Sequence, residues 1–306
     1  MTNLLILQLL NGVQLGILLF LVAAGLTLIF GIMDFINIAH GVLYMVGAYL
    51  MATFVVITGN FWLALPVAMA AALLFGLLLE YTIFRRLYER SHLDQVLATF
   101  GLVMIVTEGV RMIWGSTPLS VPIPALLSGS IPLLGIIQYP VYRLAIIGTG
   151  LVVALGLYLV INHTRTGMLL RAGASNRPMV SALGVNVGQL FAFVFAFGAM
   201  LAAFAGAIVA PVLSVDPGMG ASVLILTFVV IVIGGIGSIK GAFVAAILVG
   251  VVDTLGRSFG PILLQMVMDP SAASQTGRTL APMLIYILMA VVLAVRPAGL
   301  FGGRPA

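Results

Sequence analysis

Long apolar stretches, each interrupted by a few polar or turn-forming residues, set the pattern of this chain. They stand at 4–30, 41–58, 63–84, 95–113, 143–162, 187–210, 221–237, 242–258 and 281–295. A helix of about 20 residues crosses a hydrocarbon core of about 30 Å, so the pattern predicts nine membrane crossings. The range is eight to ten, because the seventh and eighth runs are short. They meet at Gly237-Ser238-Ile239-Lys240-Gly241, a junction that also suits a broken or re-entrant helix. Strands of a membrane barrel would alternate apolar and polar residues over short segments, and these runs do not. The fold class is therefore all-α, a polytopic helical membrane protein forming a single transmembrane domain over residues 1–306.

Composition agrees with this reading. Hydrophobic residues make up 62% of the 306 and charged residues 7%, against roughly a quarter charged in an ordinary soluble domain. The absence of cysteine excludes disulfides, thiolate chemistry and cysteine-ligated metal. A formal charge of +5 is scattered through short loops rather than gathered on one face, which argues against nucleic acid as a partner. The single lysine, Lys240, is followed by glycine instead of preceded by it, so no phosphate loop is present and the chain does not bind ATP in that way.

Basic residues set the expected orientation, since short cytoplasmic loops retain positive charge. One set of alternate loops holds Arg85, Arg86, Arg90, Arg165, Arg171, Arg177, Lys240, Arg296 and Arg304, nine of the thirteen. The other set holds Arg111, Arg143, Arg257 and Arg278. The C-terminus is then cytoplasmic and, with nine spans, the N-terminus lies outside. Residues 114–142, with five prolines and no charge before the end of the segment at Tyr142, become an ordered external loop, and 163–186 the largest cytoplasmic one. Ala23-Ala24-Gly25 imitates a cleavage site, but no basic residue precedes Arg85, so the first run reads as an uncleaved span.

Few residues carry chemistry. Between the first two runs, Asp34, Asn37 and His40 place an acid, an amide and an imidazole, followed by Gly41. Positions 34, 37 and 41 share a helix face, and an ionised Asp at membrane depth costs roughly 2.5 to 3.5 kcal/mol unless it faces protein or water. Two readings stand: a wall of a translocation path, or a cytoplasmic turn with a capping Asp or Asn and a satisfied histidine. No metal site is expected, because His92 and His163 sit in other loops without ligand spacing. Glu80 is expected to snorkel or pair near Arg85, Glu108 to pair with Arg111 at i and i+3, and neither these nor Asp253 reads as a mid-span acid.

In the loop 163–186, Asn176 can cap a short helix with Pro178 in its first turn and Gly184 at its close. That helix lies either in another protein's groove or on lipid headgroups. Gly234, Gly235, Gly237 and Gly241 crowd the seventh and eighth runs, where glycine serves close packing or local unwinding. Ile38-Ala39-His40-Gly41 and Ser238-Ile239-Lys240-Gly241 are faintly similar, as in transporter repeats.

Motifs spread from about residue 23 to 302 resemble the inner-membrane permeases of branched-chain amino acid ABC importers, in particular the H-type partner of paired H and M permeases. They are Ala24-Gly25-Leu26-Thr27-Leu28-Ile29-Phe30-Gly31, Asn37-Ile38-Ala39-His40-Gly41, Gly47-Ala48-Tyr49, Thr166-Gly167 through Arg171-Ala172 to Leu183-Gly184, Ala205-Gly206, Pro217-Gly218, Gly234 to Ala242, and Arg296-Pro297-Ala298-Gly299-Leu300-Phe301-Gly302. Asp34 departs from the small residue the resemblance leads one to expect.

The resemblance implies a bacterial inner-membrane transport subunit, not an enzyme, that moves branched-chain or other hydrophobic amino acids inward by alternating access. Related permeases serve urea, short amides or aromatic acids, and a stand-alone ion-coupled carrier is the competing class. Implied partners are an M-type permease, two ATPase subunits that hold ATP and magnesium, a periplasmic solute-binding protein and the bilayer, with no cofactor in this chain. ATPase docking falls to Arg171, Ala172, Gly173, Ala174, Ser175, Asn176, Pro178, Ala182, Leu183 and Gly184. The path falls to Asn37, His40, Gly41, Gly234, Gly235 and Gly237.

Overall fold

The computed structural model describes residues 2–133 and 137–302, and the side chains of all of these except Ala174, Ser175, Arg177 and Pro178. Its helices are α1 (Thr2–Met33), α2 (His40–Thr58), α3 (Phe61–Thr82), α4 (His92–Trp114), α5 (Val141–His163), α6 (Arg165–Ser175), α7 (Arg177–Ala182), α8 (Val187–Val209), α9 (Met219–Gly234), α10 (Ile239–Leu264) and α11 (Pro270–Val295). Strands β1 (Ser130–Leu133) and β2 (Ile137–Pro140) form an antiparallel hairpin between α4 and α5, with Ile131 opposite Tyr139.

Eight of the described helices are long and apolar enough to cross a membrane, and α9, at 16 residues, is a shorter apolar one. Each expected run has its helix. Two boundaries differ from expectation. Helix α10 runs on to Leu264 through Arg257 and Pro261, and α11 begins at Pro270 rather than near 281. The extra turns of α11 are Pro-Ser-Ala-Ala-Ser-Gln-Thr-Gly-Arg-Thr-Leu, polar and small, which hydropathy passes over. Pro270 suits the first turn of a helix, where its missing N–H is not needed.

The chain packs as two compact units, one of residues 21–124 and 152–226, the other of 1–20, 125–151 and 227–306. In the first unit α8 lies at the centre, against α2 and α3. Its crossing with α2 is close because the backbone is bare there. A Cβ at Gly206 would meet the Tyr44 carbonyl, and one at Gly47 would meet the Ala203 backbone. Small residues drive such packing where lipid removes the hydrophobic incentive. Aromatic contacts finish the end near α2's start: Phe35 meets Phe84 edge-on at 5.4 Å and Tyr88 at 5.7 Å.

In the same unit two groups of loops identify two ends. Ile36 N donates to Gln95 Oε1 (3.2 Å), and the Arg85 side chain lies beside Gly188, so the turns after α1, after α3 and before α8 gather together. At the other end Leu119 and Val215 exchange main-chain hydrogen bonds of 2.9 Å, joining the loop after α4 to the turn after α8.

In the second unit α10 packs antiparallel on α11 through Gly256 against Ala281 and Gly260 against Gly277. The start of α1 lies on α10, with Gly12 and Gly16 against residues 246–251. Tyr139 (3.3 Å) and Arg143 (2.7 Å) both donate to Asn11 Oδ1, tying the hairpin and α5 to α1. Burial pushes the Tyr139 phenol above its ordinary range, with Arg143 opposing, so it keeps its proton to donate.

Candidate functional site

The segment 163–186 forms an elbow of two helices where one was expected. Thr164 Oγ1 caps α6 by accepting from Gly167 N (3.1 Å), and Gly167, Leu170 and Gly173 face inward at helical spacing. Gly167 rests on the carbonyls of Val160 and Ile161 at the end of α5, where no Cβ fits, and Arg171 Nη1 donates to the Ile161 carbonyl. The elbow's first arm is therefore fastened to its own span.

Asn176 is the bend. Its N–H closes α6 on the Ala172 carbonyl (2.9 Å) while its Oδ1 accepts from Met179 N (3.0 Å) to open α7, with Pro178 in the first turn. Val180 is buried beneath α7, and Gly184, at φ +84, ends it in the left-handed conformation that glycine adopts without strain. This is the cap, first turn and close expected from the sequence.

Of the expected docking residues, Arg171, Asn176, Ala182, Leu183 and Gly184 are exposed and Ala172 is half-buried. Gly173 is turned inward, a Cβ there coming 3.4 Å from Leu190 Cδ2. The side chains of Ala174, Ser175 and Pro178 lie outside the described residues, as does Arg304. Met179 and Leu183, 60% and 76% exposed, give α7 an apolar outer face.

The break between α1 and α2 differs from a simple capped turn. Asp34 is exposed at φ +51, the one non-glycine residue with positive φ among those described, and its N–H closes α1 on Phe30 O (3.0 Å). It occupies the position after a helix where glycine or asparagine is usual. Asn37 caps nothing: it is wholly buried, and both its Oδ1 and Nδ2 have no hydrogen-bond partner. Ala39 stands at the N-cap of α2 with no side-chain bond. His40, also wholly buried, lies with Nε2 3.1 Å from Val22 O, and its Nδ1 is unpartnered, as are Thr27 Oγ1 and Tyr49 Oη in the same unit. Buried polar atoms without partners cost about 1–3 kcal/mol each, so their retention asks for a role. Gly41 has a packing one, its Cα face lying against the Gly220 carbonyl.

Gly234, Gly235 and Gly237 sit at a backbone junction. Leu300 N donates to Ile233 O (2.8 Å) and Phe301 N to Gly234 O (3.0 Å), so the tail closes over the turn between α9 and α10. Gly235 and Gly237 take positive φ, and Gly234 faces the Gly241 backbone. Ser238 Oγ caps α10 by accepting from Gly241 N (3.0 Å).

The acids have local partners. Glu108 pairs with Arg111 at 2.8 Å on an exposed face, as expected. Glu80 is buried and accepts from Tyr88 Oη (3.3 Å); burial first, then the Glu80 charge, holds the Tyr88 phenol above its ordinary range. Asp253 is deeper than the apolar run suggested. It is buried at the middle of the longer α10 and binds Arg257 at i+4. No group of three metal-ligating side chains occurs among the described residues. A groove of about 360 Å³ lined by Met69, Leu157, Phe197, Met200 and Phe204 among others is apolar and offers a polar solute nothing.

A family model described as "Branched-chain amino acid transport system / permease component" matches residues 8–293. The chain is 31% identical to the high-affinity branched-chain amino acid transport system permease protein BraD of Pseudomonas aeruginosa, over 97% of this chain and 95% of that one. It is 28% identical to the LivH permease protein of the same kind of system in Escherichia coli, over the same shares. With a probable branched-chain amino acid transport permease of Methanocaldococcus jannaschii it shares 26% over 78% of this chain and 76% of the other. No solved structure matches it. The family match over residues 8–293 and the whole-length similarity place this multi-pass membrane protein in the family of branched-chain amino acid transport system permease components.

Proposed function

We propose that this chain is one permease half of an ABC importer in a bacterial inner membrane, passing branched-chain amino acids inward. Its partners in this reading are a second permease of the M type, two ATPase subunits that carry ATP and magnesium, and a periplasmic solute-binding protein. The N-terminus lies outside and the C-terminus in the cytoplasm. In the first unit this orientation agrees with the gathering of Arg85, Arg86 and Arg90 at the end shared by the turns after α1 and α3 and before α8, away from Leu119 and Val215.

The observation that carries the reading is the elbow. A helix meant to receive force from a soluble motor must be exposed at its tip and stiffly joined to a span at its root. α7 presents Met179 and Leu183, while α6 is fastened to the end of α5 by Gly167 and Arg171. Movement of α7 on ATP binding is thereby passed to α5. Differential contact of the ATPase with α7 in its two states supplies the bias between inward and outward openings. Asn37 and His40, wholly buried in this state, are assigned to the path at the α1–α2 break: their unpartnered polar atoms meet the solute or its water when that break opens during the cycle.

Uptake of radiolabelled L-leucine by proteoliposomes holding the assembled transporter tests the function. Uptake that requires ATP inside, the ATPase subunits and loaded binding protein, and that resists competition by excess urea, is expected. Uptake by this chain alone, driven by an ion gradient, overturns the proposal. The pairing of Glu108 and Asp253 with arginines speaks against such coupling.

A further inference from the structure

The ion pair on α10 is asymmetric in a way its partners do not explain. Arg257 Nε alone bonds both oxygens of Asp253, at 2.9 and 2.8 Å. Its two Nη groups, four N–H donors, have no acceptor among the described residues, and the side chain is 51% exposed while that of Asp253 is 6% exposed. A guanidinium usually meets a carboxylate through two nitrogens in parallel. Here the acid holds the base by its stem and leaves the fork open.

A second guanidinium lies on the same flank. α10 and α11 are antiparallel, with Gly256 opposite Ala281 and Gly260 opposite Gly277. Arg257 and Arg278 each follow an interface glycine by one position. In an antiparallel pair a step of +1, about 100°, turns both side chains to the same side. By this register Arg257 is level with residue 280, so Arg278 is offset from it by two residues, about 3 Å along the axis. Arg278 is exposed and has no hydrogen bond or ion pair among the described residues. Axes of packed helices stand roughly 8–10 Å apart, close enough for two long side chains to converge on one small anion.

The depth is informative as well. Arg257 follows Ile239 by 18 residues, about 27 Å, and precedes the end of α10 at Leu264 by seven, about 10 Å. The pair of arginines therefore lies near the outer edge of a core of about 30 Å, one to two turns below the α10–α11 turn, where a solute entering from outside first meets the spans.

The geometry points to a carboxylate-binding site formed by Arg257 and Arg278, with Asp253 as a positioning residue that holds Arg257 in place. Resting on the functional reading above, its ligand is the α-carboxylate of the amino acid entering from the binding protein. Planar bidentate recognition is what guanidinium provides and ammonium does not. Asp253 keeps the local charge at +1 rather than +2, enough to attract a carboxylate and release it again.

The test uses the assembled transporter in phosphatidylcholine proteoliposomes with radiolabelled L-leucine and saturating loaded binding protein. Arg278→Gln lowers maximal uptake about tenfold with unchanged ATPase co-purification and thermal midpoint; Arg257→Gln, which strands the buried Asp253, lowers uptake alike with a reduced midpoint, and Arg257→Lys recovers part of the uptake. Asp253→Asn lowers uptake too, and adding Arg257→Gln to it brings little further loss, since both act through one group. Undiminished uptake by both glutamine variants overturns the site. So does normal uptake combined with loss of co-purifying phospholipid, which assigns the arginines to a lipid phosphate. Equal losses from the lysine and glutamine variants with a lowered thermal midpoint also overturn it, in favour of a purely structural pair. If the native chain shows no ATP-dependent leucine uptake, the functional reading fails first.

Discussion

Nε2 of His40 lies 3.1 Å from the carbonyl oxygen of Val22, eighteen residues earlier in the chain. A carbonyl only accepts, so Nε2 carries the hydrogen and the bond ties the first turn of α2 to the middle of α1. The other ring nitrogen faces no partner, and three residues away neither polar atom of Asn37 has one. The break between the two helices is thus fastened on one side and left polar on the other.

Asn37→Leu separates structure from transport at this break. Removing two unpartnered buried atoms relieves a burden of about 1–3 kcal/mol each, so the variant keeps or raises its thermal midpoint. Leucine uptake is expected to fall severalfold in the same preparation. A lower midpoint with normal uptake per assembled transporter contradicts a path role for Asn37.

Asp34→Gly is expected to leave stability unchanged or improved, because φ +51 carries no penalty for glycine. Asp34→Val places a β-branched side chain in the left-handed region and is expected to cost about 1–2 kcal/mol. Thermal unfolding of the two variants in one detergent measures the difference.

Gly206→Ala adds a Cβ where the Tyr44 carbonyl stands. Overpacking of this kind costs about 1–3 kcal/mol, so a lowered unfolding midpoint is expected, with Gly47→Ala behaving alike at the same crossing. Unchanged midpoints for both would mean that α2 and α8 do not cross there.

Much of this was legible in the sequence. All nine apolar runs are helices, and the cap at Asn176, the proline turn and the glycine close of α7 were readable from residue types alone. Helix α6 was hidden because its buried face is Gly167, Leu170 and Gly173, and glycine does not register as an apolar stripe. The depth of Asp253 was hidden for a related reason: Gly260 and Pro261, just past the end of the apolar run at 258, masked the continuation of the helix to Leu264. The i, i+4 spacing of Asp253 and Arg257 was the available signal. The β-hairpin was beyond reach, its two four-residue strands giving alternation too little length. The unpartnered state of Asn37 depends on neighbours brought by the fold, which no local pattern encodes.

Asn176→Ala removes the Oδ1 acceptor at the bend of the elbow and is expected to cost about 1 kcal/mol of local stability. Faster hydrogen exchange is expected over residues 177–183, with the exchange of α8 unchanged. A response spread evenly over α5 to α8 would contradict an independently capped α7.

In the proposed transporter the exposed face of α7 is what the ATPase holds. Affinity purification of the tagged chain, expressed with its neighbouring subunits and analysed by mass spectrometry, tests it with Met179→Asp and Leu183→Asp beside the native protein. Both side chains point outward, so the variants are expected to fold and insert, which an unchanged yield of the co-purified permease checks. ATPase subunits and a second permease are expected to accompany the native chain, and the variants to keep the permease and lose the ATPase. Native chain that emerges without any ATPase, or variants that retain it in full, would rule out α7 as the docking face.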